Sequence, residues 1–140
     1  MNNINKAKEL LCGSDYTCVL VNGDSVLTSR ERGVKPLLNF IDSGKDLSSF
    51  AAADKIVGKG AALLYLCLGI KQLYADVISK PAFDVLTKNG VSVQYGTLAE
   101  MIINRNGDGA CPMEIAVADT DDPMEGLELI KEKLIELRKH

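Results

Sequence analysis

Val57-Gly58-Lys59-Gly60-Ala61-Ala62-Leu63-Leu64-Tyr65-Leu66-Cys67-Leu68 is the stretch on which the fold turns. Lys59 is its only charge, and the segment is apolar on all sides. A helix of that kind is buried by neighbours all round. In a chain of 140 residues this means a layered domain, with the helix lying against a sheet and covered by other elements. The N-terminal end is stripped down to Gly and Ala. A charge between two glycines at the mouth of a buried helix marks a site.

The elements on either side supply the layers. The buried helix is predicted over 54–68, with Asp54 as N-cap accepting from backbone N–H groups and Gly69 closing it. Downstream, 73–78 reads as a strand. Ser79, followed by Pro81, starts a helix that ends at Asn89-Gly90, and 91–95 alternates as another strand. Thr97-Leu98-Ala99-Glu100 has the capping-box spacing and predicts a helix. After a turn-rich loop at 104–109, Cys111-Pro112-Met113-Glu114 opens a short helix with Pro in its first turn. Asp122-Pro123-Met124-Glu125 starts the last helix, striped by Leu127, Ile130, Leu134 and Leu137.

Upstream, 3–12 predicts a helix that stops at Gly13. Strands at 17–21 and 25–29 are joined by Asn22-Gly23, a strong hairpin signal. A helix over 35–42 ends at Ser43-Gly44, and 45–53 reads as a linker or a continuation toward the buried helix. Strands separated by helices predict an α/β domain with a partly parallel sheet. One domain spans 1–140, with helical extensions at both ends.

Composition excludes several functions. Sixteen basic residues against 19 acidic ones leave a net charge of −3 and no basic stripe. With no Trp, three Phe and four Tyr there is no base-stacking platform either, so nucleic acid is not an expected partner. The start lacks an apolar signal region, and the longest uncharged run, 60–70, is 11 residues where a membrane span needs roughly 20. A cytoplasmic protein without a membrane partner is expected. Cys12, Cys18 and Cys67 read as small core hydrophobes with reduced thiols, since no C-x-x-C pair exists.

Common motifs fail on single residues. A phosphate loop ending in Gly58-Lys59 needs Gly at 53 and Ser or Thr at 60, where the chain has Ala53 and Gly60. The run Asn104-Arg105-Asn106-Gly107-Asp108-Gly109 resembles a calcium loop, but Ile115 stands where the bidentate Glu belongs. The only histidine is His140, which leaves no zinc set and no Ser/His/Asp triad. No cofactor is expected.

Three features remain. Lys59 either runs its stem along the helix to solvent or is a partly buried ammonium paired with Asp54 or Glu114 and facing a ligand. Cys111, at a helix start after a Gly-rich loop, is either an ordinary capping position or a reactive thiol assisted by Lys59 or Glu114. Arg105, in the Gly/Asn loop, is either solvated or anion-binding.

Asp54-Lys55-Ile56-Val57-Gly58-Lys59-Gly60-Ala61-Ala62-Leu63-Leu64, Asn104-Arg105 and Cys111-Pro112-Met113-Glu114 resemble an uncharacterised bacterial and archaeal domain family in the cytidine deaminase-like superfamily. The likeness runs over about 15–122. It implies a three-layer α/β/α sandwich with a mixed sheet of about four to five strands. In that superfamily a zinc ligand and the catalytic Glu open the first core helix, where this chain has Lys59-Gly60-Ala61. The remaining ligands open the next helix, where it has Ser79-Lys80-Pro81-Ala82-Phe83. Without those ligands and the Glu there is no zinc-activated water and no proton shuttle, so zinc-dependent deamination is not expected. The resemblance further implies that the two helix starts converge. Asp54, Lys59 and Ser79 would then line one cleft, with the Cys111 loop closing over it and bringing Glu114 near.

Three functions follow. The first is binding of a small anionic or nucleotide-like ligand, with Lys59 and the helix N-termini as receptor. The second is an enzyme using Cys111 as nucleophile, with Lys59 or Glu114 in proton transfer. The third is a regulatory module acting as a homo-oligomer.

Overall fold

In the computed structural model, which describes residues 2–31, 33–102 and 111–138, the Asn2 side chain accepts from the Asn5 N–H at 2.9 Å and starts α1 (Asn3–Cys12). The helix stops at Gly13 as its sequence predicts. β1 (Cys18–Asn22) and β2 (Ser25–Ser29) form the expected hairpin, with Asn22 paired to Ser25. Its two-residue loop is therefore Gly23-Asp24, one position later than the Asn-Gly signal suggests. Gly23 has φ 60° and Asp24 does not have positive φ, the pattern of a type II′ turn with Gly in first place. α2 (Lys35–Asp42) has the predicted bounds.

The segment that reads as a linker running into a helix is instead a strand, β3 (Ala51–Val57). Asp54 is therefore inside a strand and caps no helix. Three alanines, Asp54 and Lys55 have weak strand preference by themselves. Pairing on both sides overrides it, antiparallel to β1 and parallel to β4 (Gln72–Ser79). Between them lies α3 (Lys59–Leu68), the apolar helix, with Gly58 as N-cap and Gly69 ending it at φ 78°, a left-handed conformation that suits glycine.

Ser79 accepts from the Ala82 N–H at 3.2 Å and caps α4 (Lys80–Lys88), as expected. β5 (Ser92–Ala99) runs further than predicted and absorbs the Thr97 capping box. Its backbone is committed to β4, with Thr97 opposite Val77 and Ala99 opposite Ser79. Glu100 meets Lys80 at 2.6 Å instead of turning back on a helix. α5 (Pro112–Ala116) and α6 (Pro123–Arg138) follow as predicted.

The sheet is mixed and open, in the order β2-β1-β3-β4-β5. The fold is a three-layer α/β/α arrangement. On one face Ile4, Ala7 and Leu11 of α1 pack on Val19, Val21, Ala51, Ala53 and Tyr74. On the other lies the larger core, where Ala62, Leu63, Leu64 and Tyr65 of α3 are fully buried and α2, α4, α5 and α6 surround that helix. Alanine at 51, 52 and 53 keeps the central strand thin on both faces. Gly126 of α6 lies against Leu63, and Leu127 and Ile130 are buried, so core packing accounts for the stripe until Leu137, which is exposed. Cys18 is buried and Cys67 half-buried, whereas Cys12 is exposed rather than a core residue. Among the described residues no helix is long and apolar enough to cross a membrane.

Candidate functional site

β3 and β4 are parallel neighbours, and each leads straight into a helix, α3 and α4. The two helix starts therefore sit side by side at the carboxyl ends of the strands. Open α/β sheets bind their ligands in that crevice.

The start of α3 already holds a carboxylate. Glu114 of α5 accepts from the Lys59 N–H at 2.7 Å through Oε1 and from the Gly60 N–H at 2.8 Å through Oε2. Gly58 has no side chain to cap the helix, so the cap comes from a residue 55 positions away. Both free N–H groups and the helix dipole favour a negative charge there. A Cβ on Gly58 would run into that carboxylate, which explains the glycine.

The Lys59 side chain leaves this cap and turns into the crevice. Its residue is only 8% exposed. The ammonium donates to the Ala118 carbonyl at 3.1 Å and meets Asp121 Oδ1 at 2.9 Å. Asp121 Oδ2 also lies 3.6 Å from the Lys88 ammonium. The hydrogen bond from Lys59, with the positive charges of Lys59 and Lys88, holds the Asp121 carboxyl below the usual range. Asp54 and Glu114, the partners suggested by sequence, do not meet this ammonium; Glu114 meets the backbone of the same residue instead. Asp121 is itself 56% exposed, so the counter-ion of a buried lysine is a surface side chain.

Two cavities flank Lys59. One, of about 240 Å³, is lined by Lys59, Pro81, Met101, Glu114, Ile115 and Ala118. The other, of about 290 Å³, is lined by Lys59, Pro81, Asp84, Val85, Lys88 and Asp121. They share Lys59 and Pro81 and so adjoin, as an apolar arm and a charged arm of the crevice.

The other predicted site residues lie elsewhere. Asp54 stands opposite Cys18 in the β1–β3 ladder, on the face towards α3. Tyr65 Oη donates to Asp54 Oδ2 at 2.6 Å, and Cys18 Sγ lies 3.3 Å from the same hydroxyl. Burial drives the Asp54 carboxyl up to about 7 despite the opposing hydrogen bond from Tyr65. Ser79 is fully buried as the α4 cap. Cys111 precedes α5, its N–H bonded to the Ile102 carbonyl at 3.1 Å and its side chain packed on the core. Asp54, Ser79 and Cys111 line neither cavity. Arg105 lies outside the described residues. Among the described residues no group of three or more His, Cys, Asp or Glu gathers closely enough to hold a metal ion.

Residues 6–134 match the family model TM1506, a domain of unknown function (DUF1893). This chain belongs to that family. The crystal structure of a DUF1893 family protein, TM1506 from Thermotoga maritima, is similar over 99% of this chain and 90% of its own, with 29% identity and a TM-score of 0.83. No curated protein matches.

Several cleft residues were not singled out from sequence. Asp121 sits in the acidic run Asp119-Thr120-Asp121-Asp122, which reads as a helix start. A buried lysine needs a carboxylate, and such an acidic run is where one is available. Met101 and Ile115 gave no signal, because exposed apolar side chains are common.

Proposed function

We propose that this DUF1893 domain binds a small anionic ligand in the cleft at Lys59, and that it is a zinc-less relative of the deaminase-like proteins it resembles. The observation that carries this is the Lys59 ammonium, nearly buried between two cavities, with an exposed aspartate as its counter-ion. A purely structural ion pair at this depth gains little over an apolar pair, because desolvating the lysine offsets the attraction. A side chain free to swing into solvent is also easily replaced by a ligand carboxylate or phosphate. The α3 start reinforces the charge preference, although Glu114 occupies its N–H groups.

This changes the ligand receptor inferred from sequence. Glu114 already accepts from the α3 N–H groups and Ser79 from one at α4, which leaves the lysine side chain as the main receptor. The nucleophile reading gains no support, since Cys111 lines neither cavity. Native mass spectrometry of purified protein tests the proposal. Wild type should retain a small acid that Lys59→Met protein loses while keeping its fold by circular dichroism. Equal retention by both proteins would refute it.

A further inference from the structure

We infer that the ligand is a monoanion with an apolar body, a small carboxylic acid rather than a phosphorylated nucleotide, and that Asp121 holds its head-group position until it arrives. This rests on the anion-site reading above and narrows it.

Charge decides the valence. The described side chains lining the cleft include two cations, Lys59 and Lys88, and three carboxylates, Asp84, Glu114 and Asp121. Glu114 is pinned by two N–H groups and stays in place. Among the described residues Asp121 is held only by side-chain ammonium groups, and it is half-exposed. Moving it out leaves two cations against two carboxylates. A ligand with one negative charge restores the starting balance. A phosphate ester of nearly two charges would face Glu114 and Asp84 without further cations from the described lining.

Shape decides the body. The arm beyond Lys59 is walled by Pro81, Met101, Ile115 and Ala118. Met101 is 50% and Ile115 63% exposed, so burial against a ligand is still available to both. At the ~30 Å³ that a water takes in the liquid, the 240 Å³ arm has room for the five-carbon chain of a six-carbon acid. Its carboxylate would take the Asp121 position between Lys59 and Lys88, with the chain running over Pro81 into the apolar arm.

Titration calorimetry on the full chain at low ionic strength tests this, with hexanoate, inorganic phosphate and adenosine monophosphate as probes. Wild type should bind hexanoate at one site, at least tenfold more tightly than either phosphate compound. Asp121→Asn should tighten hexanoate about fivefold or more by removing the internal competitor. Ile115→Ser, at an exposed position, should weaken hexanoate severalfold. Lys59→Met should abolish binding. If a phosphate compound binds in a Lys59-dependent way and hexanoate does not, the ligand class is wrong and the anion site stands. If Asp121→Asn weakens hexanoate or Ile115→Ser leaves it unchanged, the placement of head or body is wrong. If none of the three binds, or binding ignores both Lys59→Met and Asp121→Asn, the anion-site reading falls too.

Discussion

Two buried ionisable residues have different partners. The Lys59 ammonium meets the Asp121 carboxylate and the Ala118 carbonyl. The Asp54 carboxyl accepts from the Tyr65 hydroxyl and the Ile56 N–H, yet burial drives it up to about 7. An unfolded aspartate titrates near 3.9. Between those values the folded chain holds a proton that the unfolded chain has lost. Stability from this group is therefore fully present below about pH 4 and falls as pH rises towards about 7, by at most about 4 kcal/mol. Denaturant titrations from pH 4 to 8 should show this decline, and Asp54→Asn should flatten it. Tyr65→Phe should extend the decline to higher pH, since it removes the donor that favours the ionised form.

At this scale the sequence marked Lys59 correctly as the unusual residue, because one charge in an apolar helix is visible without coordinates. It could not choose among carboxylates for the partner. Asp54 is near in sequence but faces Tyr65 across the core, whereas Asp121 is distant in sequence and adjacent in space.

Among the elements, α3 depends on a cap lent by α5. Replacing Glu114 with Ala removes two charge-assisted bonds and leaves the Lys59 and Gly60 N–H groups without them. The expected loss is about 2 kcal/mol. Glu114→Gln should lose less, since its amide oxygen still accepts from one N–H. Gly58→Ala should resemble Glu114→Ala, because a methyl there displaces the carboxylate even though the backbone of Gly58 tolerates alanine. Thermal unfolding of the three variants should rank them so; a neutral Gly58→Ala would contradict the cap.

Helices with local start and stop signals were legible. Gly13, Ser43-Gly44, Gly69, Ser79 and Asn89-Gly90 end or begin elements where expected. β3 and the end of β5 were not legible. An alanine-rich strand and a Thr97 capping box both favour helix locally, and ladder pairing with neighbours remote in sequence overrides them.

Over the whole molecule, the α/β class read from strands separated by helices is the observed one, and so are the three layers that the family resemblance implies. Strand order and the cleft depend on long-range pairing and were not readable. The sheet predicts its own protection pattern. β3 is paired on both sides and covered on both faces, while β2 and β5 are edges with mostly exposed side chains. Amide hydrogen exchange should be slowest in β3 and its neighbour β4, and faster in β2 and β5. Protection of β5 equal to that of β3 would show that a partner covers the edge, as the oligomer reading expects.

If an anion takes the Asp121 position on Lys59, carbon-detected NMR titration of the Asp121 carboxyl will register the exchange. Without ligand that carboxyl should titrate below the ordinary aspartate range, because Lys59 donates to it. With saturating hexanoate it should return to the ordinary range as the ammonium changes partner. An Asp121 carboxyl that keeps its low titration while hexanoate saturates the protein would contradict the claim.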